Sequence, residues 1–275
     1  MAVRYAVNCS IMFTELPLLE RPSAARAAGF EAVEFWWPFP AAVPQDADAD
    51  AFVRAIRDAG VQLIGLNFFA GDMPGGERGL VSWPARTLEF RDNVAAVVGI
   101  GEQLGCRDFN ALYGNRVPDS TTDEQDDVAV ENLALAGQAV AQLDGRVLIE
   151  PVSGSEGYPL RSADDVFAVI HRVRREKGTE NLGFLCDLYH LASNGDDLDR
   201  VVATYGDRIA HVQIADAPGR HEPGTGDLDL DRLVAQIHSR GYGGWVALEY
   251  KPTGMTSDSF GWLSNGTRAT SGMAG

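Results

Sequence analysis

LGFLCDLYH, residues 182–190, is an apolar run of strand length that ends in an acid and passes at once into a helical pattern. Three other stretches follow the same grammar: RVLIEP at 146–151, IAHVQIAD at 209–216 and WVALEYKP at 245–252. Each sets one oxygen-bearing side chain at the downstream end of its run, giving Glu150, Asp187, Gln213 and Glu249. The differences between their numbers are 37, 26 and 36, which leaves room for one helix and one strand in each interval. Most of these runs are continuous rather than alternating, as strands covered by helices are. Parallel strands linked by helices bring their C-terminal ends to one face, where barrels of this kind keep their chemistry.

Working outward, the strand signal recurs at 4–9, 32–36, 61–67 and 108–112, and continues at 147–150, 182–187, 209–214 and 245–249. Helical segments fall between them at 50–59, 85–104, 121–143 and 162–176, with acids in the first turn of the last two. Pro17 suits a first helical turn, and Pro22 would break a helix already running, so the first helix is expected to be split. The expected fold is α/β, a single (β/α)8 TIM barrel over 1–263, with a polar, glycine-rich and flexible tail at 264–275. Two long irregular stretches, 70–84 and 216–226, follow strands three and seven, on the face expected to carry the site.

A net charge of −16 argues against unassisted binding to nucleic acid or to an anionic membrane. Cys9, Cys106 and Cys186 are scattered and read as small buried hydrophobes, without a disulfide framework or zinc spacing. No run is long and apolar enough to cross a bilayer, and MAVRYAVNCS lacks the layout of a signal peptide, so a cytoplasmic location is expected. The partner expected is a small molecule, and assembly into a homo-oligomer is compatible with the chain.

A single strand-end acid can simply cap the next helix. Four consecutive strands ending in oxygen ligands point instead to one shared metal site. Three acids and a neutral amide suit Mg²⁺ or Mn²⁺ better than zinc. His190, three residues after Asp187, lies beside that ligand on a helical turn and can donate to a substrate hydroxyl. His211 shares a strand face with Gln213, inside the barrel but below the site, and reads as structural. Glu156 reads equally as a contact to a substrate hydroxyl or as an ordinary loop acid. Asn67 closes the third strand and joins the candidate substrate contacts. Glu77 and Arg78 offer an ion pair or a carboxylate-binding arginine, while Arg220, His221 and Lys251 add positive charge near strands seven and eight. Trp36, Trp37 and Trp83 read as pocket wall or as interface.

NCSIMFTELPLLER (8–21), AAGFEAVEFWWPF (27–39), AGDMPGGERGL (70–80), the IEPV and DLYH segments, HVQIADAPGRHEPGTGDL (211–228) and LEYKP together resemble the hydroxypyruvate isomerase family. That family belongs to the xylose-isomerase-like barrels, and the resemblance runs from about residue 4 to about residue 263. It implies a metal-dependent isomerase interconverting hydroxypyruvate and 2-hydroxy-3-oxopropanoate (tartronate semialdehyde) through an enediolate. Its metal ligands map to Glu150, Asp187, Gln213 and Glu249, with Glu150 and Glu249 doubling as the acid/base pair. Gln213 stands where related epimerases carry histidine, and Arg78 stands where 2-oxo-tetronate isomerases tend to carry a bulky aromatic. Both favour hydroxypyruvate, with 2-oxo-tetronate isomerase or ketose 3-epimerase as the alternative. Pro22 and the Trp36–Trp37 pair depart from the family's pattern. DNA-repair endonucleases share this barrel type, but need more histidine ligands and a basic face.

Overall fold

Each apolar run becomes a strand, and the next helix carries the chain back to start its neighbour. The computed structural model describes residues 3–263. Its strands are β1 (Arg4–Asn8), β2 (Ala32–Phe35), β3 (Gln62–Asn67), β4 (Asp108–Asn110), β5 (Arg146–Ile149), β6 (Leu182–Asp187), β7 (Ile209–Ile214) and β8 (Trp245–Leu248). They pair in parallel in sequence order, and β8 returns to β1 through Arg4↔Trp245 to Val7↔Leu248, closing the barrel. The helices are α1 (Arg21–Ala27), α2 (Asp46–Ala59), α3 (Thr87–Leu104), α4 (Thr122–Ala141), α5 (Ala163–Lys177), α6 (Leu188–Asn194), α7 (Leu198–Tyr205) and α8 (Leu230–Ser239). The expected (β/α)8 barrel is the observed fold. The tail expected to be flexible, 264–275, lies outside the described residues.

Side chains alternate across each strand, and that period of two separates two environments. Val7, Val33, Leu66, Phe109, Val147, Phe184, Val212 and Leu248 join the helices in one large apolar core. The intervening positions face the barrel axis. Ala6, Ala32 and Ile64 form a small cluster there, and toward the strands' downstream ends stand Asn8 of β1, Glu34 of β2, Asp187 of β6 and Gln213 of β7, all buried. The expected polar strand ends therefore close over the barrel interior.

Helix boundaries follow local chemistry. Thr121 with Glu124 and Ser162 with Asp165 form reciprocal capping boxes at α4 and α5. Asp46 and Asp48 start α2 one turn earlier than the apolar pattern predicts, where acids favour the helix dipole. The expected split near the first helix is real. Pro17 caps a short 3-10 turn, Leu18–Glu20, and α1 begins afresh at Arg21, with Pro22 in a first turn that needs no N–H from it.

Both long loops are tied down. Asp216 is fully buried, and its carboxylate accepts the backbone N–H groups of Ala217, Gly224 and Leu228 at 2.9, 2.8 and 3.0 Å. In the loop after β3, Gly79 adopts a φ of 111°, and a Cβ there would lie 2.0 Å from the Leu112 carbonyl oxygen. That contact docks the loop on the end of β4. Gly79→Ala is expected to lower stability by roughly 2–3 kcal/mol through strain and steric overlap. Gly76→Ala, at a φ of 102° but facing open space, is expected to cost only about 1 kcal/mol. Chemical denaturation of both variants checks the difference.

Candidate active site

The strand ends place two groups of polar side chains in the barrel mouth. The first comprises Glu150, just past β5, Asp187, which ends β6, and His190 in α6. Their candidate ligand atoms lie within 4.8 Å of one another. Asn110 of β4 donates to Glu150 at 2.7 Å. Asp187 also caps α6, its Oδ1 accepting the His190 backbone N–H at 2.9 Å.

Glu34 and Glu249 anchor the second group. Asn8 donates from one nitrogen to Glu34 and to Glu249, each at 2.9 Å. Gln213 Nε2 donates to Glu34 at 2.6 Å, and His211 Nε2 faces the other Glu34 oxygen at 2.7 Å. Trp36 donates its indole N–H to Glu249 at 2.6 Å. Arg220 bridges the two groups: its NH2 nitrogen pairs with Glu249 Oε2 and lies 3.9 Å from Asp187. Its guanidinium lies over the Tyr189 ring, 5.3 Å from the centroid. Arg220 holds a left-handed φ of 61°, unusual for a residue with a side chain, in the loop that Asp216 braces.

Electrostatics follow from burial. Glu150, Asp187 and Glu249 set three acids against one Arg220 guanidinium, so that full ionisation would leave two negative charges uncompensated. Burial, reinforced by the Asp187 charge, pushes Glu150 up to about 8. Burial also raises Glu249 well above the ordinary carboxylate range, despite the pull of Arg220. His190 is pushed down to about 4 by burial and is therefore a neutral imidazole near pH 7. Its Nδ1 accepts the Ser153 backbone N–H at 3.0 Å, so the remaining proton sits on Nε2. For His211, burial works downward but the Glu34 carboxylate prevails and raises it. The three thiols are buried and raised, which makes them inert, as expected.

The floor suits a divalent cation. Gln213 Oε1 and Asn110 Oδ1 are buried and accept no hydrogen bond among the described residues. The set is rich in oxygen, and when fully ionised its charge deficit is two. His190 is a poor ligand even though it stands close, because its free nitrogen carries a proton. The structure thus groups Glu150 with Asp187, and Gln213 with Glu249, around Arg220.

Above the floor lies a cleft of about 1220 Å³, walled by Trp36, Trp37, Phe39, Phe68, Phe69 and Met73. Asn67, Arg78, Arg220 and Lys251 line it, as does Arg86. Arg86 is taken up by Glu77 and Glu89, each at 2.6 Å. The acid offered as Arg78's partner, Glu77, therefore belongs to Arg86. Arg78 donates to the Met73 and Glu77 backbone carbonyls at 2.8 and 2.7 Å and has no carboxylate partner among the described residues. Glu156 is exposed in the loop after β5, away from the cleft wall. Asn8, Glu34, Trp36 and Asn110 belong to the site and lie beyond the strand ends singled out from sequence.

A model of the xylose isomerase-like TIM barrel matches residues 22–266, most of the chain. The chain belongs to the xylose isomerase-like TIM barrel family. A putative hydroxypyruvate isomerase from Streptomyces coelicolor is 50% identical over 271 residues, with 97% of each chain covered. The hydroxypyruvate isomerase of Escherichia coli is 33% identical, over 95% of this chain and 98% of the relative. A 2-oxo-tetronate isomerase from Cupriavidus necator is 35% identical, covering 94% and 97%. Among solved structures, one from Brucella melitensis described as an AP endonuclease of family 2 superposes with a TM-score of 0.85 at 33% identity, covering 95% of this chain and 98% of that one. Within this xylose isomerase-like family the chain is an isomerase of the intramolecular oxidoreductase class. No helix among the described residues is long and apolar enough to cross a membrane.

A raised carboxyl makes stability depend on pH. Glu150 keeps its proton in the folded chain from the ordinary 4.5 up to about 8, whereas the unfolded chain releases it. Its contribution to stability is therefore present below the lower value and lost as pH rises through the higher one. Without divalent cations, Glu150→Gln is expected to raise the melting temperature at pH 8 and to change it little near pH 5. Thermal scans at both pH values check this.

Proposed function

We propose that this isomerase interconverts hydroxypyruvate and 2-hydroxy-3-oxopropanoate, with a divalent cation, Mg²⁺ or Mn²⁺, held by Glu150, Asp187, Gln213 and Glu249. The observation that carries the reading is the pair of buried glutamates, Glu150 and Glu249, that line one cleft together with Arg220. The reaction takes a proton from the hydroxymethyl carbon and places one on the adjacent carbonyl carbon. It therefore needs a base, then an acid, and a buried carboxyl group that faces the reacting carbons serves as either. Glu150 and Glu249 are those groups, on different sides of the Arg220 guanidinium.

The oxygens must exchange a proton as well. His190 is placed for that, since its Nε2–H is turned toward Glu150 and Asp187 and its Nδ1 is pinned by Ser153. When bound, a divalent cation supplies Lewis-acid stabilisation of the negative charge that develops on the substrate oxygens. Arg78 is the carboxylate anchor in this reading. It is half-buried, held by two backbone carbonyls and free of acids, whereas Lys251 is exposed. Such a charge-assisted contact fixes which end of the substrate meets the glutamates. The aromatic wall keeps water from the reacting carbons. The reading is of a cytoplasmic enzyme acting on a small hydroxy-oxo acid.

A second reading places a four-carbon 2-oxo-tetronate, or a ketose undergoing 3-epimerisation, at the same centre. It is favoured by the cleft, about 1220 Å³, which a three-carbon acid does not fill.

Glu249→Gln is expected to keep the fold and to lose at least about 10²-fold in kcat, the usual scale of acid/base catalysis. Chelation with EDTA should suppress turnover and Mn²⁺ should restore it; full activity in metal-free protein would defeat the cation reading. Arg78→Met is expected to raise KM for hydroxypyruvate while leaving that for uncharged ketoses nearly unchanged. Steady-state kinetics on hydroxypyruvate, four-carbon oxo acids and free ketoses separates the two substrate readings.

A further inference from the structure

A carboxamide has two faces that differ only by a half-turn about its last bond: one presents a carbonyl oxygen and the other an NH2 group. A cation can use only the first. Gln213 therefore contributes to the floor only if something selects its orientation; Glu249 Oε1 accepts from its Nε2 at 3.4 Å, and the much shorter contact comes from below, at 2.6 Å.

Glu34 occupies that place. It ends a layer of inward-facing residues on β2, is buried, and receives three hydrogen bonds. Oε1 accepts from Gln213 at 2.6 Å and from Asn8 at 2.9 Å, and Oε2 faces His211 Nε2 at 2.7 Å. Both Glu34 oxygens are turned to donors, and it is the Nε2 edge of Gln213 that meets Oε1. The flipped amide would set two oxygens against each other. Gln213 Oε1 is consequently left without a donor, buried and turned away from Glu34. The same acid orients Asn8, which passes its other contact to Glu249 Oε1 at 2.9 Å. The β3 residue paired with Glu34 is Gly65, where a Cβ would lie 3.3 Å from a Glu34 oxygen. The barrel thus makes room for this acid.

We propose that Glu34 is a positioning residue that fixes the amide orientation of Gln213, and through Asn8 the placement of Glu249, so that their oxygens face a bound divalent cation. His211 is the counter-group that allows Glu34 to stay buried. The inference rests on the cation reading given above and extends it to a residue that touches neither cation nor substrate.

The test is the affinity of the full chain for Mn²⁺, measured by electron paramagnetic resonance and calorimetry, with a melting scan of each cation-free variant. Glu34→Gln can donate as well as accept, so it lets Gln213 take either orientation; its affinity is expected to fall by about 10- to 100-fold, the usual effect of removing a residue that orients a ligand. Combining it with Gln213→Glu reverses the roles. The new glutamate has two equivalent oxygens and accepts from the new amide, so affinity is expected to return to within about threefold of wild type, as orientation no longer matters. Gln213→Glu alone adds the same charge to the ligand set, so the exchange counts as repair only where the double variant binds as well as or better than that single one. Glu34→Asp keeps the charge but draws the carboxylate back from Gln213 and His211 alike, and it carries the test should Glu34→Gln not fold. Wild-type affinity in Glu34→Gln or Glu34→Asp overturns the inference alone, as does failure of the double exchange to recover binding. A wild-type chain that holds no Mn²⁺ overturns the cation reading itself, and this inference with it.

Discussion

Glu150, Asp187 and Glu249 lie buried around a single Arg220 guanidinium, and charges removed from water must be paired or must titrate away. Most of the surrounding architecture answers that demand. Asn110 supports Glu150, the N-terminus of α6 supports Asp187, and Trp36 with Asn8 supports Glu249. What these neutral donors leave over appears as two suppressed acids and two carbonyl oxygens without donors. The cation and the proton-transferring glutamates of the proposed reaction would both answer the same crowding of acids.

The barrel and half of the floor were legible in the sequence for a physical reason. A parallel strand is buried on both faces, so a polar residue at its end stands out against an unbroken apolar run. That contrast marks Glu150, Asp187, Gln213 and Glu249. The same rule reaches Asn8, Glu34 and Asn110, yet the sequence reading passes over them. Glu34 stands inside its strand rather than at its end, and the partners that give these residues meaning stand 26, 177 and 40 residues away. No local pattern shows that His211 and Glu34 meet across the barrel axis. His211, read as structural, is found against an acid that itself lies below the floor.

Loops were less legible than strands. Glu156 follows Glu150 closely, but the intervening turn carries it to the surface. Arg220 lay in a stretch of evident interest, but its left-handed backbone and its reach to two acids depend on Asp216, whose carboxylate gathers three backbone N–H groups. Arg78 and Arg86 are close in sequence and share one cleft, yet only one of them is neutralised by acids. That difference comes from packing, not from pattern.

The docking of the 70–84 loop onto the end of β4 has an evolutionary corollary. In the proposed reaction the proton-transfer groups are carried by strand ends, while Arg78, the proposed carboxylate anchor, rides on a separate, independently braced rim. Exchange of that rim can lengthen or shorten the accepted acid without disturbing the acidity of the glutamates beneath. One inherited reaction can in this way be distributed among substrates of several carbon counts.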